Sequence, residues 1–186
     1  NEQHYEVPAE YFKSVLGPRL KYSCCWFDDK STTLGEAEIK MMESYLKKAK
    51  IEDGQTILDL GCGWGSLSLF LAERFPNSNI YSVSNSNDQI EHIKNTAKEK
   101  NLENLHPEVQ DVNSLTLNQQ FDRVVSIEMF EHMRNYEALL QKVKHLLKPD
   151  GLLFIHIFCH KETAYLYEES GEKDWMTRNF FRGGIM

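Results

Sequence analysis

Apolar runs of strand length alternate along the chain with longer stretches in which apolar residues recur at three- and four-residue spacing. The short runs are typical of buried parallel strands, and the longer stretches are typical of amphipathic helices that cover a sheet. This alternation predicts a doubly wound α/β fold with a mostly parallel sheet. The predicted strands are 56–60, 79–83, 105–109, 122–127 and 152–158.

The third predicted strand contains Pro107, which has no amide hydrogen to donate, and it is therefore expected at an edge of the sheet. Helices are predicted at 35–50, 66–75, 88–100 and 136–147, and Pro149-Asp150-Gly151 is expected to separate the last helix from the fifth strand. The chain stops soon after this strand, at Gly183-Gly184 and two apolar residues, so the sequence predicts a fold truncated at its C-terminus.

The composition argues against some classes of protein. With 28 acidic and 21 basic residues, the formal net charge is −7, which disfavours non-specific binding to nucleic acid or to an anionic membrane. No apolar run reaches membrane-spanning length and no signal peptide is recognisable, so a cytoplasmic protein without stable membrane insertion is predicted. The four cysteines form no CxxC pair, and we predict reduced thiols and no metal site.

The stretch "LDLGCGWG" (58–65) places an acid and alternating glycines between a predicted strand and a predicted helix. Ligands of open α/β sheets lie beyond the carboxyl ends of the strands, where glycines allow a tight turn and a close approach of the backbone. A nucleotide-like ligand is therefore expected. The dinucleotide fingerprint does not fit, because Ser66 stands at its third glycine and the second strand is followed by Ser84 and Asn85 rather than an acid.

A second chemical feature is "SIEMFEHMRNY" (126–136), directly behind the fourth predicted strand. If residues 128–133 form a helical turn, Glu128, Glu131 and His132 share one face, where they could take a proton from a substrate. The alternative is structural, because acids at a helix N-terminus complement the helix dipole.

The glycine stretch resembles motif I of the class I methyltransferases that use S-adenosylmethionine. Together with "LKYSCCWF" (20–27), "SIEMFEHMRNY" and "LLFIHIFCHK" (152–161), it resembles the family that contains cyclopropane fatty acid synthases and coclaurine N-methyltransferases. The stretches "EMFEHM", "FCHK" and "DWMTRNFFRGG" are closer to the coclaurine enzymes.

The resemblance implies S-adenosylmethionine as cofactor and three consecutive parts of the chain. Residues 1–50 would form a helical segment that closes over the cofactor, residues 51–160 the cofactor-binding α/β core, and residues 161–186 the start of a truncated substrate-binding cap. The implied cofactor contacts are Tyr22, Ser23, Asp59, Gly61, Gly63, Gly65, Ser84, Gln89 and Asp111.

The resemblance also implies two alternative reactions. In coclaurine-type enzymes, the residues that match Glu128, Glu131 and His132 surround the substrate amine, which predicts N-methylation of a small, alkaloid-like amine. In the synthases, residues that match Cys24, Glu131 and His156 hold a bicarbonate base, which predicts cyclopropanation of phospholipid acyl chains. Those synthases typically carry glycine at the position of Glu128. A third alternative is a fragment that binds the cofactor without activity.

Several residues keep a purely structural interpretation open. Cys24 and His156 could be ordinary packed residues, since small cysteines and hydrogen-bonded histidines are common in protein cores. His160, Tyr165, Tyr167 and Trp175 could line a pocket for a cationic amine, because aromatic faces attract cations, or they could pack inside a helical cap.

Overall fold

The computed structural model describes residues 9–168, 175, 177, 178, 184 and 185. A five-stranded parallel sheet in the order β3-β2-β1-β4-β5 forms its centre. Among the described residues, two helices precede the sheet, α1 (Ala9–Val15) and α2 (Leu34–Ala49). The remaining elements follow as β1 (Thr56–Leu60), α3 (Ser66–Arg74), β2 (Asn79–Ser84), α4 (Asn87–Glu99), β3 (Leu105–Val109), β4 (Phe121–Ile127), a 3-10 helix (Phe130–His132), α5 (Tyr136–Leu146) and β5 (Leu147–His156).

The sheet confirms the predicted fold class, because apolar side chains are buried on both of its faces. Residues alternate along β1: Ile57 packs into the layer formed with α2, α3 and α4, whereas Leu58 and Leu60 pack into the layer formed with α5. Such two-sided burial is typical of parallel sheets covered by crossover helices. The strand that contains Pro107 lies at an edge, as predicted.

The beginning of β5 differs from the prediction. The strand starts at Leu147 instead of 152 and ends at His156, so Pro149-Asp150-Gly151 lie inside the strand rather than before it. The pairing with β4 shifts at this point, because Phe121 pairs with Leu147 whereas Arg123 already pairs with Leu152. An irregularity in the strand thus accommodates turn-forming residues that the sequence pattern placed in a separate loop.

Helix α2 carries a charged residue within its buried stripe. Glu38 is fully buried beside Met41, Met42 and Tyr45, and its carboxylate accepts hydrogen bonds from the backbone amides of Arg19 (3.0 Å) and Lys21 (3.2 Å). Buried carboxylates need such partners, and here the donors belong to the segment before α2. Glu38 thereby ties residues 19–21 to the helix and directs the chain that follows toward the carboxyl ends of the strands.

No helix within the described part of the chain combines the length and the apolar character that crossing a bilayer requires.

The contribution of Glu38 can be measured by comparing two variants of α2. We expect Glu38→Ala to lower the free energy of unfolding by about 1–3 kcal/mol, because two backbone amides lose their acceptor. Glu43→Ala makes the same change at an exposed position of the same helix and should have an effect within about 0.5 kcal/mol. Urea unfolding followed by circular dichroism gives both values. Equal losses in the two variants would contradict the assigned role of Glu38.

Candidate functional site

The carboxyl ends of all five strands meet at one edge of the sheet, and the predicted glycine turn lies there. The amides of Gly61 and Cys62 both donate to the carbonyl oxygen of Val83, at 2.9 and 3.0 Å, which joins the turn to the end of β2. Gly61, Gly63 and Gly65 all have positive φ angles, a conformation that L side chains rarely adopt.

Two of these glycines face different surroundings. A Cβ atom added to Gly65 would lie 2.5 Å from Cγ1 of Ile93, so this glycine allows the turn to pack closely on α4. A Cβ atom added to Gly63 would meet no atom within 4 Å. The backbone at Gly63 therefore borders open space, as a glycine turn that approaches a ligand requires.

Asp59 lies beneath this turn rather than at its surface. It is 2% exposed, and its Oδ2 accepts a 2.6 Å hydrogen bond from the Ser68 hydroxyl on α3. Burial raises the pKa of Asp59 to about 6, although the hydrogen bonds from Ser68 oppose this shift. The carboxyl group thus links β1 to α3, and its pKa lies about one unit below neutral pH.

Ser84 and Gln89 are brought together at the end of β2. The Ser84 hydroxyl donates to Oε1 of Gln89 at 2.7 Å, and both side chains are buried. Asp111 follows β3 and is exposed, and its Oδ1 accepts 2.8 Å hydrogen bonds from the backbone and side-chain nitrogens of Asn113. These three residues lie at the predicted edge of the sheet, and their roles toward a cofactor stay predictions.

The segment before α2 reaches the glycine turn through aromatic contacts. The buried ring of Phe12 lies 5.0 Å from the ring of Trp64, inside the turn, and 5.2 Å from the ring of Tyr22. Tyr22 itself is 45% exposed, and Ser23 accepts a hydrogen bond from the amino group of Lys21. The ring of Phe12 thus connects Tyr22 to the glycine turn. The roles of Tyr22 and Ser23 as cofactor contacts stay predictions.

Glu128 occupies an unusual backbone position immediately after β4. Its φ angle is +51°, in the left-handed region, which costs an ordinary residue roughly 1–2 kcal/mol. Its amide donates to the carbonyl of His156 at 2.7 Å, and its carboxylate accepts a 3.1 Å hydrogen bond from the amide of Cys24. Strained conformations of this kind persist where the surroundings determine them, and they concentrate at functional sites.

The expected helical turn over 128–133 is wrong, because the 3-10 helix covers only Phe130–His132. Glu128 precedes it in a left-handed conformation, so Glu128, Glu131 and His132 do not share a helical face as the spacing suggested. Glu131 is 2% exposed, and its Oε1 accepts a 3.4 Å hydrogen bond from the amide of Phe158. Burial raises the pKa of Glu131, and the neighbouring Glu128 carboxylate adds to the effect.

A polar network joins the segment before α2 to the end of β5. The imidazole of His156 lies between Cys24, whose Sγ is 3.7 Å from Nε2, and Tyr45, whose hydroxyl is 2.9 Å from Nδ1. The buried amino group of Lys21 donates to the Tyr45 hydroxyl at 3.2 Å and to the carbonyl of Cys24 at 2.8 Å. The carboxylate that completes this network is that of Glu128, whose side chain lies close to both Cys24 and His156.

Burial governs the protonation of this network. It lowers the pKa of His156, against the attraction of Glu128, so the imidazole is neutral at neutral pH. Burial likewise raises the pKa of the Cys24 thiol, and the Glu128 carboxylate raises it further. Burial lowers the pKa of Lys21, whereas nearby thiols and carboxylates oppose this shift. A neutral imidazole therefore lies beside the Glu128 side chain, an arrangement that suits proton acceptance.

Sequence reasoning missed Lys21, Glu38 and Tyr45. Glu38 was detectable in principle, because a single acid stands within the apolar stripe of α2 at positions where only apolar residues are expected. Tyr45 fits that stripe as an ordinary core aromatic, and its hydroxyl acquires a partner only through the fold. Lys21 directly precedes Tyr22 and Ser23, which the sequence did single out, but nothing in the sequence pattern indicates that this lysine is buried.

The aromatic residues after β5 form a partial cluster. The rings of His160 and Tyr165 lie 5.9 Å apart, and those of Tyr165 and Tyr167 lie 5.8 Å apart. Tyr167 is buried, whereas Tyr165 and Trp175 are 45% and 59% exposed. Half of the predicted cap, residues 169–174, 176, 179–183 and 186, lies outside the described residues, as do residues 1–8 of the N-terminal segment.

Sheet order, glycine turn and flanking helices define the methyltransferase variant of the Rossmann-like α/β fold. The profile of the family described as mycolic acid cyclopropane synthetase matches residues 1–186. The chain belongs to this family.

Individual relatives distinguish two branches of the family. The (S)-coclaurine N-methyltransferase of Thalictrum flavum subsp. glaucum is 45% identical over 186 residues, which cover all of this chain and 52% of that protein. The cyclopropane-fatty-acyl-phospholipid synthase of Escherichia coli (strain K12) is 28% identical over 187 residues, which cover all of this chain and 46% of that protein. The chain thus spans about half the length of the curated relatives it matches.

A solved structure agrees with the first of these branches. The crystal structure of a coclaurine N-methyltransferase bound to N-methylheliamine and SAH superposes with a TM-score of 0.92 at 42% identity. The match covers 97% of this chain and 54% of the other. The resemblance to coclaurine-type enzymes that the short stretches suggested is therefore confirmed.

The raised pKa of Asp59 predicts a specific pH dependence of stability. Between pH 4 and 6 the unfolded carboxyl loses its proton before the folded one, so this residue makes folding less favourable as the pH rises. The loss amounts to about 3 kcal/mol across this interval, since each pKa unit corresponds to about 1.4 kcal/mol, and it is complete above the folded value of about 6.

Asp59→Asn removes the titration while keeping an acceptor for Ser68. We expect the free energy of unfolding of the variant to decline less between pH 4 and 6 than that of the parent, as measured by urea unfolding at each pH without ligand. Parallel curves for the two proteins would contradict the assignment.

Proposed function

We propose that the chain is the catalytic part of an S-adenosylmethionine-dependent N-methyltransferase that acts on a small, alkaloid-like amine. The observation that carries this proposal is the Glu128 carboxylate, held in a strained left-handed conformation at the edge of the sheet that carries the glycine turn. A glycine would adopt this conformation without strain. A carboxylate kept at such a position indicates that its charge is used.

The residues of the turn fit the proposed cofactor. A Cβ atom added to Gly63 would meet no atom within 4 Å, which leaves space for a ligand, and Tyr22 lies near the turn through the ring of Phe12. The coclaurine-type and mycolic acid cyclopropane synthase structures similar to this chain carry SAH, the demethylated form of the methyl donor. When bound, S-adenosylmethionine supplies a methyl group that its sulfonium makes electrophilic. Gly61, Gly63 and Gly65 would hold it, with Asp59, Ser84, Gln89 and Asp111 around them.

The chain's own residues would prepare the amine. An amine is protonated near neutral pH, and its lone pair becomes available only after the proton has been released, so a proton acceptor within reach is required. Glu128 and His132 would serve as acceptors, and both side chains are partly exposed. Glu131, whose raised pKa favours the protonated form, would donate a hydrogen bond or act as an additional acid.

Substrate charge suits this arrangement. The Glu128 carboxylate would attract a cationic amine, and the exposed ring of Tyr165 would favour a cation over a neutral lipid chain. We also propose that residues 1–50 close over the cofactor and that residues 161–186 begin the substrate-binding cap. The cytoplasmic location and the absence of nucleic-acid partners stay predictions from the sequence.

Cofactor binding can be tested separately from catalysis. S-adenosylmethionine at a hundredfold excess over Kd should stabilise the parent by about 2.7 kcal/mol and raise the melting midpoint. Without cofactor, Gly63→Ala should lower the free energy of unfolding by about 1–2 kcal/mol, the cost of a left-handed backbone, because the new methyl group meets no neighbour. The variant should nevertheless lose the rise in melting midpoint with cofactor. Circular dichroism melts measure both effects. A parent midpoint unchanged at saturating cofactor would contradict the proposed cofactor.

The role of Glu128 is tested with two substitutions. Glu128→Gly relieves the backbone strain but makes the unfolded chain more flexible, so the free energy of unfolding should stay within about 1 kcal/mol of the parent. Glu128→Gln keeps the side-chain shape and removes the charge. Both variants should lose at least about a hundredfold in kcat/KM for amine methylation, the typical scale of a proton acceptor.

The assay supplies a labelled methyl donor with coclaurine in one reaction and phospholipid vesicles in another. Label in the amine supports the proposal, whereas label confined to acyl chains would favour the cyclopropane synthase alternative. Cofactor binding without transfer to either acceptor would indicate a fragment that binds without activity.

A further inference from the structure

Three side chains from distant parts of the sequence form a compact group at the edge of the sheet. Cys24 comes from the segment before α2, Glu128 follows β4, and His156 ends β5. One potential ligand atom from each lies within 4.8 Å of the other two, and Sγ of Cys24 is 3.7 Å from Nε2 of His156. We refer to these residues as the Cys24 cluster.

The separation of sulfur and nitrogen matches that required around a tetrahedral zinc ion. Zn–S bonds of about 2.3 Å and Zn–N bonds of about 2.0–2.1 Å at tetrahedral angles place the two ligand atoms roughly 3.6 Å apart. Sγ of Cys24 and Nε2 of His156, 3.7 Å apart, would therefore have to move very little relative to each other to bind the ion. The ligand chemistry also favours zinc, because a thiolate, an imidazole and a carboxylate together suit this ion better than the oxygen-seeking magnesium or calcium.

A neighbouring residue orients the imidazole for such a role. Tyr45 is 2.9 Å from Nδ1 of His156, which leaves Nε2 facing Cys24. Histidine ligands generally use their second nitrogen in this way, and the outer partner fixes the orientation of the ring. The amide of Cys24 donates to Glu128 at 3.1 Å, which holds the carboxylate beside the thiol.

Charge around the cluster is close to balanced. A thiolate and a carboxylate together neutralise a divalent ion, whereas the ammonium group of Lys21, hydrogen-bonded to the carbonyl of Cys24, opposes cation binding. Cys24 is exposed and Glu128 and His156 are partly exposed, so an ion can reach all three ligands. Binding has to displace the thiol proton and is therefore favoured by rising pH.

We propose that Cys24, Glu128 and His156 form a three-ligand Zn²⁺ site with a fourth position open to solvent. Because no two of the three lie near one another in sequence, the spacing of cysteines and histidines does not predict this site. A carboxylate bound to zinc is unavailable as a proton acceptor. If Glu128 acts as in the proposed function, zinc inhibits N-methylation by occupying it.

Metal binding is tested without methyl donor or acceptor, so its outcome is independent of the proposed enzymatic activity. Co²⁺ serves as a spectroscopic substitute for Zn²⁺, because cobalt bound to a thiolate gives an intense charge-transfer absorption in the near ultraviolet. We expect the parent to bind one Co²⁺ with this absorption and to lose it when Zn²⁺ is added. Zn²⁺ affinity follows from competition with a chromophoric chelator.

Matched variants assign the ligands. Cys24→Ser should abolish the absorption, whereas Cys25→Ser, an identical change at the adjacent residue outside the cluster, should retain it. Glu128→Gln and His156→Ala should each weaken Zn²⁺ binding by at least about tenfold, and Tyr45→Phe by about 10- to 100-fold through lost orientation of the ring. Far-ultraviolet circular dichroism establishes that each variant keeps the parental fold.

Three results would overturn the site: absorption that persists in Cys24→Ser, absorption that disappears in Cys25→Ser, or Zn²⁺ affinity unchanged in both Glu128→Gln and His156→Ala. Inhibition of N-methylation by micromolar Zn²⁺ then tests the functional consequence alone. Binding without inhibition would leave the site intact and count against the role of Glu128.

Discussion

The attachment of residues 19–24 to α2 is the constraint on which the candidate site depends. The Glu38 carboxylate accepts from the backbone of Arg19 and Lys21, and the Lys21 amino group then reaches Tyr45 on the same helix. Because Tyr45 also contacts His156, one helix positions both the segment that carries Cys24 and the end of β5. Without this attachment, the strand ends would still meet, but the residues facing them from the N-terminal side would not be fixed.

The sheet and the site differ in how they obtain their geometry. The sheet results from apolar side chains buried on both faces, which specify strand order and register with little dependence on any single residue. The polar network depends on a few hydrogen bonds between distant segments. Those that join Lys21 to Glu38 and Tyr45 are buried and therefore costly to lose. We therefore expect the fold to tolerate single substitutions better than the candidate site does.

Strands and helices were predictable from the sequence because their apolar periodicity is local, and β1 and β3 have the predicted bounds. The start of β5 was not predictable in this way. Pro149-Asp150-Gly151 favours a turn locally, and pairing with β4 overrides that preference. Glu128 and Glu131 were predicted as candidate catalytic residues, whereas their relative placement depends on a left-handed residue that helical spacing does not predict. Lys21 and Tyr45 escaped detection because their importance comes from contacts between segments more than twenty residues apart.

The left-handed backbone at Glu128 also has an evolutionary consequence. Glycine and glutamate codons differ by a single nucleotide, and at this position the main chain already has a shape that suits glycine. A lineage can therefore gain or lose the carboxylate in one mutational step with little disturbance of the surrounding fold. Under the proposed function, such a position would offer a short path between acceptors of different chemistry within a family that includes both amine methyltransferases and lipid cyclopropane synthases.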